Sequence, residues 1–352
     1  MKIVSVGYTK AAGFTDPLKW LERISFYTGL LEELAKEHQV ASIECIDHEG
    51  EYEKGGVRYY FIGQPKNSNR LIKELDPDLV MVNGFIFPLQ IIRLRKKLGT
   101  AAKIFVLHRS ERPFKGIKKI LQRMAANHVE AFLFASKEFG NDWKGIIRQQ
   151  KIHEVIQASS SFSPGNKEIS KQRLSVPGSP VFVWVGGLNA NKDPLTLINA
   201  FKQYLSVQTQ AVLYIIYQSD ELVNECRELT GAIKNIKLVG KVEHKQLPDW
   251  YNAADFFIST SHSEGNGIAA IEAMSCGCIP ILSDIVSFRR KTGPGKCGLL
   301  FQPGNADDLF NALVKANELD KEAGKEKVLQ QFKEELSFSA ISGKINKIAK
   351  AN

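Results

Sequence analysis

Along this chain, short apolar runs rich in Val, Ile and Phe alternate with longer stretches whose apolar residues recur every third or fourth position. The runs KIVSVG (2–7), QVASIECI (39–46), GVRYYFIG (56–63), DLVMVNG (78–84), AKIFVLH (102–108), AFLFAS (131–136) and EVIQAS (154–159) predict strands. Amphipathic stretches such as 19–37 and 113–128 predict helices between them. The segment SFSPGNKEISKQRLSVPGSP (161–180) is polar, carries three prolines and holds no period, so it reads as a linker.

The alternation then restarts with VFVWVGG (181–187), a helix from about Pro194, AVLYIIY (211–217), NIKLVGKV (235–242), DFFIST (255–260), a further helix and CIPILSD (278–284). Residues 305–352 read as helices. Strands alternating with helices imply parallel sheets covered on both faces by right-handed crossovers. Two such series predict an α/β protein of two doubly wound, Rossmann-like domains facing a cleft, with ligands at the carboxyl ends of the strands. The expected boundaries are 1–165 and 166–334, with a C-terminal helix at about 335–352 packing back on the first domain.

Length agrees, since 352 residues can build two cores. A composition of 43% hydrophobic and 24% charged residues is that of a soluble globular chain, and sets aside disordered and fibrous classes. The start, MKIVSVGYTK, reads as a first strand, not a signal peptide, and no run approaches the roughly 18 apolar residues of a membrane span. A cytoplasmic protein is expected. Its five cysteines are scattered and suggest no disulfide framework. Cys276 and Cys278 have no second Cys or His pair at ligand spacing, so they are expected to pack at a helix end.

Charge is uneven. Residues 93–123 hold eleven Lys or Arg against one acid, Glu111, a net +10 against +9 for the whole chain, so the rest of the chain is close to neutral. Within it, RPFKGIKKILQRMAAN (112–127) sets Phe114, Ile117, Ile120, Leu121 and Met124 on one side with lysines around them. That pattern suits peripheral contact with an anionic membrane or with a phosphorylated acceptor, and the plainer alternative is a solvated helix face. Nucleic acid is not expected as a partner.

The chemistry concentrates in SHSEGNGIAAIEAMSCG (261–277). Gly265 and Gly267 let backbone N–H groups approach a bound group, and the helix that starts there carries about half a positive charge at its N-terminus. Together these make a phosphate site. Glu264 and Glu272 lie eight positions apart, roughly 12 Å along a helix axis. Paired glycosidase acids sit about 5–9.5 Å apart across one bond, so these two suit opposite parts of a longer ligand. A nucleotide sugar has that shape. GNGIAA also satisfies the dinucleotide fingerprint G-x-G-x-x-A, with Asp284 ending the next strand. However, it follows a fourth strand instead of opening its domain, and Glu264 would set a carboxylate beside the pyrophosphate. A nicotinamide-dependent oxidoreductase is therefore the weaker alternative.

EGNGIAAIEAMSCGCIPILSD (264–284) resembles the E-x7-E signature of retaining glycosyltransferases of the GT-B fold, in particular the family 4 group. VWVGGLNANKDPLTLINAF (183–201), LVGKVEHKQLPDWYNAADFFIST (238–260) and GKCGLLFQPGNADDL (295–309) are similar to three further segments of that family, in order. The resemblance spans the second domain, while the first matches it only generally. It implies that Glu272 binds the donor's ribose hydroxyls and Glu264 its sugar hydroxyls. It further implies that the amides of Gly265, Asn266, Gly267 and Ile268 meet the diphosphate, that Lys192 neutralises it, and that Gly240 to Val242 line the base pocket. His108 matches a His facing the donor sugar from the first domain.

The implied reaction is retaining, needs no cofactor beyond the nucleoside-diphosphate sugar as co-substrate, needs no metal, and delivers to a glycan or lipid-linked acceptor. The DPD at 76–78 imitates a metal-binding D-x-D but sits just before a strand. One departure stands out: the family's Arg in V-G-R-L is Gly187 here, and Arg289 and Arg290 are the candidate substitutes. A fold relative that binds a nucleotide without transferring sugar is the other alternative.

Overall fold

The structure, a computed structural model, describes every residue except Ser110, Ala232 and Asn352. It divides into two compact units, residues 1–159 with 338–352, and residues 160–337.

The sheet of the first unit contains β1 (Lys2–Gly7), β2 (Gln39–Cys45), β3 (Gly50–Lys54), β4 (Val57–Ile62), β5 (Leu79–Asn83), β6 (Lys103–Leu107), β7 (Ala131–Phe134) and β8 (Ile152–Glu154). Its order is β3-β4-β2-β1-β5-β6-β7-β8. Pairing is parallel apart from β3, which lies antiparallel to β4 at the edge. Val4, Val6, Ile43, Val80, Val82, Ile104, Val106 and Phe132 are buried in one core. Burying each such side chain stabilises the unit by roughly 1.5–3 kcal/mol, which is why the runs of β-branched residues become central strands.

The sheet of the second unit contains β9 (Val181–Gly186), β10 (Val212–Tyr217), β11 (Ile236–Gly240), β12 (Phe256–Ser259), β13 (Ile279–Ser283) and β14 (Leu299–Phe301), in the order β11-β10-β9-β12-β13-β14 and all parallel. The chain builds outward from β9 on one side, then returns to pair β12 against β9 and builds outward on the other. The loops after β9 and β12 thus leave the sheet as neighbours at the point where strand order reverses, where such sheets bind ligands.

Both sheets are doubly wound α/β, the fold class the pattern predicts, but details differ. β3 and its hairpin were not expected, nor was β14; β3 is exposed throughout and makes the first sheet mixed. Its turn is Gly55-Gly56, both at positive φ, a two-residue hairpin signal present in the sequence. β8 is shorter and earlier than the run 154–159. The expected linker 161–180 contains a helix, Lys167–Leu174. Its apolar pattern is too sparse to announce it. Asn166 caps it by accepting from the Ile169 N–H, and Arg173 holds both carboxylate oxygens of Asp249 on the neighbouring helix at 2.7 and 2.8 Å.

The division between units falls at 159/160 and 337/338, six residues before and three after the boundaries expected. Residues 160–165 belong with the second unit because Gly165 N–H donates to Asn252 Oδ1 (2.6 Å) and the Phe162 ring lies against His244 and Tyr251. The helix Phe338–Ala351 belongs to the first unit. Its Phe338 ring fills the space over Gly29, and Lys103 Nζ donates to the Ala349 carbonyl (2.7 Å).

Candidate functional site

The helix Ile268–Ser275 follows β12 by a loop, 260–267, that ends in Gly267 at φ +51°. A side chain there would be strained, and a Cβ would lie 2.9 Å from the Phe288 ring. This turn leaves the backbone N–H groups of Gly265, Asn266, Gly267, Ile268 and Ala269 without a hydrogen-bond acceptor among the described residues. The first donors of any helix have no partner within it. Here the glycines extend that set backward into the loop, and all five residues are half-buried instead of fully solvated.

The loop after β9 lies alongside. His262 N–H donates to the Asn191 carbonyl (2.8 Å), Asn191 Nδ2 to the Ser263 carbonyl (3.0 Å) and Thr260 Oγ1 to the Lys192 carbonyl (2.7 Å). Stitched this way, the loops bring the Lys192 ammonium onto the Glu264 carboxylate, which also accepts from Ser261 Oγ (2.8 Å). Their side chains are 29% and 12% exposed, so both remain within reach of a ligand. Asp193 caps the helix Pro194–Tyr204 through Thr196 N–H and holds His262 at 3.1 Å with its other oxygen. His262 thus has a structural role, fixing one loop to the other.

Glu272 lies one turn inside the helix and is buried. His244 Nε2 is 2.6 Å from one carboxylate oxygen, and Tyr251 OH donates to the other at 3.1 Å. Burial, then the Glu272 charge, pushes the Tyr251 hydroxyl well above the usual phenol range, so it stays a donor. Gly240 (φ +86°) ends β11, and His244 follows Val242 by two positions, so the Gly240–Val242 segment is brought to Glu272. Sequence reasoning did not single out His244 or Tyr251. Both lie in the family-like segment 238–260, but no spacing rule points from either to Glu272.

Gly187 stands where the family's Arg would be, and a Cβ there would meet the exposed Ser219 Oγ at 2.3 Å, so a side chain at this position requires that hydroxyl to turn away. The named substitutes are engaged elsewhere: Arg289 pairs with Asp284 (2.7 Å) and Arg290 with Glu335 (2.8 Å). The neighbouring residue, Lys291, turns inward beneath Gly267 and is buried.

His108 follows β6 in the first unit. Its ring stacks on Phe134 (4.2 Å between centroids), meets Trp143 edge-on, and has Nε2 3.0 Å from the Glu111 carbonyl. Burial lowers its pKa from the usual imidazole value, against the opposing pull of Glu111. A neutral ring that donates from Nε2 is the consistent state. All five cysteines are buried and free. Asp78 of the DPD accepts the Lys2 N–H (2.7 Å). No helix among the described residues is long and apolar enough to cross a membrane.

Residues 165–333, all within the second unit, match the model of the family described as glycosyl transferases group 1. A D-inositol 3-phosphate glycosyltransferase of Rhodococcus erythropolis is 28% identical over 163 residues, 43% of this chain and 37% of that protein. Mannosylfructose-phosphate synthase of Agrobacterium fabrum is 26% identical over 184 residues, 48% of this chain and 40% of that protein. The chain thus spans about two fifths of the length of these curated relatives. Among solved structures, sucrose-phosphate synthase of Thermosynechococcus elongatus has a TM-score of 0.73 at 15% identity, covering 100% of this chain and 99% of that one. HepE of Anabaena in complex with UDP and glucose has a TM-score of 0.71 at 15% identity, covering 100% of both chains. At such identities the likeness shows the fold, which is GT-B.

Proposed function

We propose that this protein is a glycosyltransferase that moves a sugar from a nucleoside-diphosphate sugar to a glycan or lipid-linked acceptor. The observation that carries the proposal is the set of five N–H groups at Gly265–Ala269 without an acceptor among the described residues, with the Lys192–Glu264 pair before them and Glu272 one turn beyond. Donors fixed in this way suit a diphosphate, whose charge grows as its bond to the anomeric carbon breaks. Lys192 supports that charge, Glu264 takes the sugar hydroxyls, and Glu272, held by His244 and Tyr251, takes the ribose. A carboxylate has about four acceptor sites, so Glu272 can accept further hydroxyls beside those two partners. Gly240 and Val242 line the base pocket, and His108 is assigned to the sugar on the family resemblance alone.

Departure of the diphosphate is assisted by Lys192 and the helix start, so the reaction is metal-independent in this reading. Anomeric configuration is retained, in keeping with the E-x7-E resemblance. The test is a screen of UDP-, GDP- and ADP-sugars for release of the nucleoside diphosphate. Release that disappears in Glu264→Ala and Lys192→Ala supports the reading. Turnover unchanged in both variants removes the site from it, and no release from any donor favours a nucleotide-binding relative without transfer.

The acceptor is proposed to lie at an anionic membrane. Ile117, Ile120 and Met124 are 80%, 59% and 51% exposed on the helix Ile117–Ala126, amid the basic residues of 93–123. Ile86 and Leu89 are exposed on the neighbouring segment, which Gln122 ties to this helix through the Phe85 carbonyl (3.0 Å). Apolar side chains ringed by cations favour an anionic bilayer surface. Co-flotation with vesicles containing anionic lipid, lost in Ile117→Glu with Ile120→Glu, is expected. Equal recovery with neutral vesicles refutes it and favours a phosphorylated soluble acceptor.

A further inference from the structure

Lys192 alone does not balance a diphosphate. Its ammonium already faces the Glu264 carboxylate, so the pair adds no net charge, and a helix start contributes only about half a unit. Arg289 and Arg290 are held by acids elsewhere. Lys291, on the short helix Val286–Thr292, is 1% exposed, yet no carboxylate lies within ion-pair distance of it among the described residues.

An ammonium has three donors. That of Lys291 has one acceptor among the described residues, the Ser287 carbonyl at 3.0 Å, and rests over the Phe288 ring at 5.6 Å. Ser287 Oγ, also buried, has no partner among the described residues. Both belong to the helix beneath Gly267, where a Cβ would lie 3.5 Å from Lys291 Nζ. Buried ionic and hydroxyl groups are costly unless matched, so a Lys291 ammonium left short of acceptors beside N–H groups that have no acceptor among the described residues, with the unmatched Ser287 hydroxyl one helical turn away, marks a place shaped for an anion.

We infer that Lys291 and Ser287 are the floor of the diphosphate site, with Lys291 as its second cation in place of a side chain at 187. The inference rests on the nucleotide-sugar reading above. The Gly265–Ala269 amides approach the diphosphate from one side and Lys291 from beneath Gly267, so that the leaving charge is met without using the Lys192–Glu264 pair. Burial also brings the Lys291 pKa down to about 7. The charges bearing on it are Glu264 from the turn, which opposes that shift, and Arg290 on its own helix, which adds to it. From the helix Lys321–Gln331, the neutral Gln331 amide reaches only the Lys291 carbonyl (3.0 Å). Anion binding therefore draws a proton onto Lys291, and affinity depends on pH through this residue.

The test is calorimetric titration of the wild type, Lys291→Met and Ser287→Ala with UDP, GDP and ADP and the matching nucleosides, at pH 6 and pH 9. Lys291→Met is expected to weaken whichever nucleoside diphosphate the wild type takes by about tenfold or more at pH 6, as for a hydrogen bond to a charged group. The deficit shrinks at pH 9, and nucleoside affinity is unchanged. Comparing both proteins at one pH cancels the titration of the ligand's own phosphate. Ser287→Ala, which removes only a hydroxyl, is expected to lose about two- to fivefold and carries the test if Lys291→Met does not fold. Unchanged diphosphate affinity in these variants, with the wild type binding, overturns the inference alone. If no nucleoside diphosphate binds the wild type, the functional reading falls with it.

Discussion

Removing the Lys192 ammonium tests whether it meets a ligand or merely offsets Glu264. Lys192→Met keeps the length of the side chain and leaves Glu264 with Ser261 Oγ as its remaining partner. With side-chain exposures of 29% and 12%, the pair is sheltered but not sealed, so a full low-dielectric Coulomb energy does not apply. The relevant magnitude is a hydrogen bond to a charged group, about 1.5–3 kcal/mol, or roughly a 10- to 150-fold loss in kcat/KM. Glu264→Gln should lose a comparable factor through the sugar hydroxyls.

The double variant is decisive. If each residue touches a different part of the donor, removing both leaves activity at or below that of the weaker single variant. If the two serve only one another, removing the second relieves the unpaired charge left by the first. The interaction term of a double-mutant cycle, about 0.5–3 kcal/mol for contacting residues, then restores turnover. The assay is release of nucleoside diphosphate from the donor identified by screening, with melting temperatures measured alongside. Recovery of the double variant to within a few-fold of wild type would refute the placement of both residues against the donor.

Gly267→Ala places a side chain at φ +51°, a left-handed conformation that costs an L-residue about 1–2 kcal/mol. The melting temperature should fall by about 2–4 °C per kcal/mol, and nucleotide affinity should fall with it as the new Cβ displaces Phe288. Gly267→Asn should melt closer to wild type, and equal melting of Ala and wild type would argue against the turn. Asp255, immediately before β12, accepts from the N–H of Val181 at the start of β9 (2.8 Å) and pairs with Lys167 and Lys321. Burial pushes its pKa up, but Lys167 and the Val181 N–H outweigh it and hold the carboxyl below the usual range. Its stabilisation is therefore present above the unfolded pKa of about 4 and lost as pH falls through the lower folded value. Asp255→Asn should cost about 1–3 kcal/mol at pH 7, and the gap in melting temperature should close in acid. Lys291→Met without nucleotide should melt above wild type, because the folded protein disfavours the charged lysine. That gain is fully present below pH 7 and vanishes as pH rises toward the unfolded value of about 10.4. A variant that melts lower at pH 6 would contradict it.

Local pattern determined much of this protein. β-branched runs alternating with amphipathic stretches dictate doubly wound α/β sheets, because a strand covered on both faces must be apolar throughout and a covering helix on one side only. The glycines of EGNGIA likewise announce a turn whose amides face outward, a property of the backbone that needs no knowledge of distant residues. Elements lacking their own pattern were not legible. β3 is exposed and exists by pairing with β4, and the helix Lys167–Leu174 exists by its cap and by Arg173 on Asp249.

The charges of the site were decided by tertiary structure. Arg289, Arg290 and Lys291 are consecutive cations in the sequence, and nothing local separates them. The fold sets Asp284 and Glu335 against the first two and directs the third inward beneath Gly267. His244 likewise becomes a partner of Glu272 only because the end of β11 and the Ile268–Ser275 helix come together. Spacing along a chain fixes which face of its own element a side chain occupies. What that face meets depends on contacts between residues remote in sequence, and these set the burial and the partner that determine a charge's work.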